Sequence, residues 1–315
     1  MRNVDRLMSA QRPYLTDGGL HTTLFLADGF QAPEFAAILL LDNVEARDAL
    51  GRYFDHYLEM AATSRSGFVL NTVTWRGCVE WAPKLGRSAK DLMRLSRDAV
   101  ALARGIRSKW QGRVSPLILS GTVGPAGDGY APEFALDPAT AILLHGPQLR
   151  VFADEGVDMV CATTMTHVGE AVGIVQAAQR LNLPVVVSFT VDTDGCLPMG
   201  DPLGEAIAAT DAATSGAPLY YMVNCAHPDH FRAALQTKAE WVTRIGGLRA
   251  NASRLSHAEL DGASALDDGD PQEFGRLHRE LAALLPNLRV IGGCCGTDHR
   301  HIASISHHLR TEIAA

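Results

Sequence analysis

The sequence predicts an α/β chain folded as one (β/α)8 TIM barrel, and three observations carry that prediction. Eight short apolar runs recur along 315 residues, stretches of helical periodicity separate them, and no Gly-rich linker or charge block divides the chain. A doubly wound open sheet is the alternative for the same alternation. The runs are Tyr14-Leu15-Thr16, Phe68-Val69-Leu70, Pro116-Leu117-Ile118-Leu119, Asp158-Met159-Val160-Cys161, Val185-Val186-Val187-Ser188-Phe189, Tyr220-Tyr221-Met222-Val223, Ile245-Gly246-Gly247-Leu248 and Val290-Ile291. Mostly continuous apolar runs suit strands covered on both faces, as in a parallel sheet sheathed by helices. Between them, Ala89 to Trp110 sets Leu92, Leu95, Val100, Leu102 and Ile106 near one helical face. The polar tract 251–272, rich in Asp, Gly and Ser, reads as a loop or insertion after the seventh strand of a domain spanning 1–315.

Composition narrows the function. With 47% hydrophobic and 20% charged residues the chain can bury a large core, which excludes disorder over most of its length. No apolar run approaches the roughly 18 residues of a membrane span. The start, MRNVDRLMSAQRPYLTD, lacks a signal-type apolar stretch, so a cytoplasmic location is expected. A net charge of -7 argues against nucleic acid or an anionic membrane as a partner and leaves small molecules. Six cysteines in such a chain are too few for a disulfide scaffold.

In a barrel the chemistry sits at the C-terminal strand ends. There the chain reads Asp17-Gly18-Gly19, Asn71-Thr72, Gly121-Thr122-Val123-Gly124-Pro125, Thr163-Thr164-Met165, Asn224-Cys225 and Gly292-Gly293-Cys294-Cys295-Gly296. Cys225 after the sixth run and Cys294-Cys295 after the eighth would meet at one rim, and three thiolates with a vacant position suit Zn2+ open to an exogenous ligand. Neighbouring cysteines converge on one ion only where the backbone leaves strand geometry, a freedom expected of Gly292, Gly293 and Gly296. Cys78, Cys161 and Cys196 stand singly and read as buried fillers. Asp17 either holds a polar group of the substrate or caps its own turn. Asn224 stands beside a ligand as an orienting donor, and the N–H groups of Gly18 and Gly19 suit a carboxylate. His227 and His230 read as exposed histidines at a helix start, and His299, His301, His307 and His308 as solvent-facing. Tyr220-Tyr221 reads as strand packing. The stretch 121–129 lacks the Lys-Ser/Thr of a phosphate loop and reads as a rim loop over the site.

These residues carry a resemblance. Asp17-Gly18-Gly19, Val223-Asn224-Cys225 with Pro228, and Gly292-Gly293-Cys294-Cys295-Gly296-Thr297 resemble, in order and spacing, the homocysteine S-methyltransferase family over nearly the whole chain. Val123-Gly124-Pro125 and Gly156-Val157-Asp158 add weaker support. The resemblance implies zinc held by Cys225, Cys294 and Cys295, and a methyl group passed from a sulfonium or quaternary ammonium donor to a thiol, homocysteine by default, giving methionine. The length resembles compact members that use S-methylmethionine or S-adenosylmethionine, without room for a cobalamin module.

The expected substrate pocket takes in Gly18, Gly19, Phe35, Asn71, Val73 and Thr164, with Asp17, Asn224 and Thr163 at the reacting groups. Three positions depart from the family pattern. Thr163-Thr164 stands where the family has Glu-Thr, Phe35 where it has Trp, and Val73 where it has Tyr. Without the Glu carboxylate a buried substrate ammonium loses its partner, which points to a thiol lacking the α-amino group, or to a demethylase. Trp75 or Tyr130 could refill the volume left at Val73. The rival classes are a non-catalytic zinc-binding barrel and a hydrolase or aldolase using Asp17 and a His, the latter disfavoured because no two-His-plus-carboxylate run occurs.

Overall fold

The computed structural model describes residues 2–263 and 265–310. Eight parallel strands close into a barrel in sequence order: β1 Tyr14–Leu15, β2 Phe68–Asn71, β3 Leu117–Val123, β4 Met159–Met165, β5 Val185–Phe189, β6 Tyr221–Asn224, β7 Ile245–Ala250 and β8 Val290–Gly293. Closure is made by β1 on β8, with Leu15 opposite Ile291. All eight strands fall on the predicted runs. Several extend further toward their C-terminal ends than the apolar residues do, so Asn71, Thr122, Thr163-Thr164, Asn224 and Gly292-Gly293 lie inside strands. The parallel ladder continues through them because their backbone groups still pair with a neighbour, whatever the side chains are.

The helices on the barrel are α1 Asn3–Met8, α2 Val44–Ser64, α3 Ala89–Trp110, α4 Pro138–Asp154, α5 Val168–Arg180, α6 Leu203–Thr214, α7 Pro228–Leu235, α8 His257–Asp261, α9 Pro271–Leu284 and α10 His299–Arg310. Helix α3 takes the predicted bounds because Ser88 accepts from the Asp91 N–H while the Asp91 carboxylate accepts from Ser88, a reciprocal cap. Its buried stripe includes Leu92, Leu95, Val100 and Ile106. Within the tract 251–272, residues 251–253 are buried, α8 forms one capped turn, and the last two residues already belong to α9.

The lumen is graded. Its floor is apolar, with Val69, Ile118, Met159, Val186, Met222 and Val290 packed on Val4 and Leu7 of α1, which plugs the N-terminal mouth. Above it the inward positions turn polar: Thr16, Asn71, Ser120, Thr122, Thr163 and Arg249 surround a small inner cavity. A second apolar layer joins the outer strand faces to the helices, among them Leu70, Leu119, Val160, Val187 and Phe189. Tyr220 and Tyr221 pack as expected, one in each layer.

Buried histidines tie this frame to pH, two of them on helices α4 and α9. The Glu170 carboxylate on α5 accepts from the Ala126 N–H at 2.7 Å and lies 2.8 Å from His145 Nε2 on α4, both side chains being buried. Burial alone would lower the His145 imidazole, but Cys78 and Glu170 raise it to about 10. His278 on α9 donates to the Phe274 carbonyl at 2.8 Å, and burial lowers it to about 4. The raised His145 stabilises the fold below pH 6.5 and loses that contribution as pH rises toward 10. The depressed His278 does the opposite, its contribution vanishing as pH falls from 6.5 toward 4. Urea midpoints should therefore peak near pH 6.5, each histidine contributing a slope of about 1.4 kcal/mol per pH unit on its own side. Glu170→Gln should lower the midpoint at pH 7 and flatten the alkaline limb, and an alkaline limb unchanged by it would exclude His145 as its source.

Candidate active site

Three sulfurs converge at the C-terminal rim. Cys225 Sγ and Cys294 Sγ lie 2.7 Å apart, and the thiols of Cys225, Cys294 and Cys295 are all within 4.8 Å of one another. Backbone bonds fix this: Cys225 N–H donates to Arg249 O at 3.1 Å, Cys294 N–H to Ala250 O at 2.8 Å, and Ala252 N–H to Cys295 O at 3.0 Å. The left-handed freedom sits elsewhere than expected. Among the three rim glycines only Gly296 has positive φ, at 77°, while Cys225 itself adopts φ 54°. Gly292 and Gly293 serve instead by close approach, since a Cβ would come within 2.5 Å of Thr16 and 2.2 Å of Thr297.

Neighbours hold the sulfurs in place. The Tyr130 hydroxyl donates to Cys225 Sγ at 3.3 Å and lies 3.9 Å from Cys295 Sγ. His257, at the start of α8, lies with Nε2 2.6 Å from the Cys225 carbonyl and its ring 4.7 Å from that of Tyr130. Hydrogen bonds from Cys294 and Cys295 drive the Cys225 thiol well below its usual range, and the same contacts push Cys294 up to about 12 and Cys295 up as well. Burial and the nearby thiols hold Tyr130 well above its ordinary value, so its hydroxyl remains a donor.

Asp17 does not cap its own turn. Its carboxylate is buried against Arg249 Nη2 at 3.1 Å, receives Asn71 Nδ2 at 3.1 Å, and has the Tyr53 and Thr16 hydroxyls within 2.9 Å. The Arg249 guanidinium, reaching in from β7, also donates to Gly293 O at 3.1 Å and Gly18 O at 3.2 Å. Burial opposes its charge, but Asp17 and Cys294 more than offset that and keep it protonated. The Gly19 N–H, expected to be open to a carboxylate, is taken by Thr297 O at 3.0 Å.

The profile of the homocysteine S-methyltransferase family matches residues 14–309. The chain belongs to this family of thiol-directed methyltransferases. It is 22% identical over 321 residues to homocysteine S-methyltransferase 1 of Arabidopsis thaliana, covering 94% of this chain and 93% of that one. It is 29% identical over 194 residues to the S-methylmethionine–homocysteine S-methyltransferase of Pongo abelii, covering 57% of this chain and 52% of that one, so that match spans about half the relative's length. The fold is that of the homocysteine methyltransferase MmuM from Escherichia coli: its metallated form superposes with a TM-score of 0.72 at 20% identity, over 94% of this chain and 96% of that one. Its oxidized form gives 0.73 at 21%, over 98% and 99%.

Against the family pattern, the structure places the departing residues around one pocket that ends on the sulfurs. Thr163, Thr164 and Val73 line it together with Asp17, Gly18, Asn71 and Arg249. Phe35 stands at its edge, 60% exposed with φ 51°, its ring 5.7 Å from Phe25. Trp75 and Tyr130 both line the same pocket, with ring centroids 6.4 Å apart. Thr164 is a β-branched residue at φ 63°, an uncommon conformation for its type. Asn224 holds it there, accepting the Thr164 N–H at 3.0 Å and donating to Thr164 Oγ1 at 2.9 Å.

Two histidine assignments change. His227 is buried, capping α7 by accepting the Asp229 N–H at 3.2 Å, and His301 is buried with Nε2 2.8 Å from the Asp268 carbonyl. A helix start buried against a barrel hides histidines that polarity alone assigns to solvent. Arg249, Arg76 and His257 escaped the sequence reading. Arg249 had a usable signal: a lone charge at the end of an apolar run of a doubly covered sheet must find a partner inside.

Arg249→Met would leave the Asp17 carboxylate buried without its counter-ion and should destabilise the fold by about 3–5 kcal/mol. The double variant Asp17→Asn with Arg249→Met should lose clearly less. Urea denaturation measures both, and losses that simply add would show the two residues to be uncoupled.

Proposed function

We propose that this chain transfers a methyl group from a sulfonium donor to a thiol, with zinc held by Cys225, Cys294 and Cys295. The observation that carries the reading is the convergence of three thiols at the foot of a pocket deep enough for a small molecule. The donor set fits the ion: three thiols within 4.8 Å of one another are the soft sulfur ligands that zinc takes. Charge supports it too. Sulfurs this close oppose one another's ionisation, so three thiolates coexist in this cluster only beside a cation.

When bound by Cys225, Cys294 and Cys295, zinc would supply the Lewis acidity that keeps a substrate thiol deprotonated at neutral pH. The chain does the rest by positioning. His257 and the β7 backbone hold Cys225 and Cys294, and Tyr130 donates to Cys225 sulfur rather than taking a proton. The sulfur nucleophile displaces a neutral thioether from the donor's methyl carbon in line. The sulfonium charge is extinguished as the C–S bond forms, and the thiol proton has already passed to solvent. Alignment supplies most of such a rate enhancement.

Cys294→Ser should lose most bound zinc by metal analysis and lose methyl transfer when thiols and sulfonium donors are followed by mass spectrometry. Unchanged zinc in this variant would sink the ligand assignment. Wild-type protein that binds zinc yet methylates no thiol would favour the non-catalytic barrel instead.

A further inference from the structure

We propose that Arg76 forms a carboxylate subsite in this pocket, so that the substrate is recognised by an anionic end and not by an ammonium. This rests on reading the pocket as that of a thiol methyltransferase. Among the described residues Asp17 is the sole carboxylate lining the pocket, and it is already engaged by Arg249 and Asn71 with two hydroxyls beside it. Thr163 adds only a neutral hydroxyl. Nothing is therefore left to pair with a substrate ammonium, whose burial without a counter-charge is strongly unfavourable.

The balance of charge tips the other way. Arg249 and Asp17 cancel, which leaves Arg76 as the cation facing the pocket. The residue is only 8% exposed and its guanidinium carbon lies over two indole rings, 4.4 Å from the centroid of Trp75 and 3.8 Å from that of Trp81. Nε donates to the Glu34 carbonyl at 2.9 Å, and Nη1 is buried with no hydrogen-bond partner. No carboxylate lies within ion-pair distance of it among the described residues. Asp128 acts on it from further away and is itself occupied by the N–H groups of Tyr130 and Ala131. Two more polar groups of the same pocket, Trp75 Nε1 and Thr122 Oγ1, are likewise buried without partners. A buried guanidinium packed on two indole rings, with one donor unspent, is built to meet a carboxylate, and its planar fork favours that shape over a lone halide or water.

Homocysteine and its deletion series separate the two ends of a thiol acceptor: 4-mercaptobutanoate lacks the amine, 3-aminopropane-1-thiol lacks the carboxylate, and propane-1-thiol lacks both. Titration calorimetry on the zinc-loaded protein should show 4-mercaptobutanoate binding at least as tightly as homocysteine. Both should bind about 10- to 100-fold more tightly than the two thiols without a carboxylate. Arg76→Gln should erase that preference while leaving propane-1-thiol within about threefold, and Arg76→Lys should keep part of it. Thr163→Glu should shift the preference toward the amine-bearing thiols. A parallel pair of donors, 3-(dimethylsulfonio)propanoate and trimethylsulfonium, tells whether the carboxylate belongs to acceptor or donor, since the Arg76-dependent preference follows whichever carries it. The proposal is overturned if 3-aminopropane-1-thiol binds as well as 4-mercaptobutanoate with no donor preference either, if the carboxylate preference survives Arg76→Gln, or if no compound gives heat. Binding without turnover keeps the two readings apart: an Arg76-dependent preference with no methyl transfer sinks the methyltransferase, whereas transfer with no such preference sinks the subsite.

Discussion

One guanidinium inside the barrel organises the rim. Arg249 leaves β7 toward the lumen and reaches Gly293 O at the end of β8 as well as Gly18 O and Asp17 after β1. Gly293 directly precedes Cys294, and Asp17 and Gly18 lead into Gly19, whose N–H donates to Thr297 O. A cation in a lumen of low dielectric must be surrounded by acceptors, so its demand for them draws three strand ends to one geometry. The pair it makes with Asp17 is poor evidence of net stability, because desolvating two charges consumes most of their attraction. Its effect is on arrangement, since the loop cannot move without unpairing a buried charge.

Around that fixed rim the backbone is held in conformations it would not choose. Cys225 and Thr164 both sit at positive φ, at 54° and 63°. Each is restrained by a specific partner, the Cys225 carbonyl by His257 and both Thr164 groups by Asn224. Strain of about 1–3 kcal/mol at each such residue persists only where neighbours over-determine it, and such residues gather where geometry serves chemistry. Here it turns Cys225 out of strand alternation to face Cys294.

The parts that were legible in the sequence are those set by local pattern. Eight apolar runs announced eight strands because a doubly covered strand must be apolar along its length, and a one-sided apolar stripe announced α3. The Gly-flanked Cys294-Cys295 pair announced the sulfur rim because adjacent thiols at a strand end are otherwise without purpose. What stayed hidden were the side-chain partners that closure of the barrel brings around those thiols. Asp17 and Arg249 are 232 residues apart, and only the completed ring brings β1 and β7 to the same guanidinium. His257 lay in a tract whose polar composition gave no hint that one turn of helix returns to the Cys225 carbonyl. Arg76 went unread because its setting beside the indoles of Trp75 and Trp81 exists only in the folded chain.

The loop that carries Tyr130 shows why chemistry and selectivity can change separately in such a site. It is pinned at its start by Gly124 N–H on the Trp75 carbonyl, by the Trp81 indole on Pro125 O, and by Ala126 N–H on Glu170. A Cβ at Gly124 would strike Trp75 and one at Gly129 would strike Thr164, so the chain threads close against both. Further along, Asp128 accepts the Tyr130 N–H and presents the ring over the sulfurs. The sulfur end of the pocket is thus defined by backbone hydrogen bonds and buried side chains that depend on one another. The rest of its wall, at Phe35, Val73, Thr163 and Arg76, is defined by side chains that none of those bonds use. Substitutions there alter the charge and shape offered to a substrate while the three thiols keep their places.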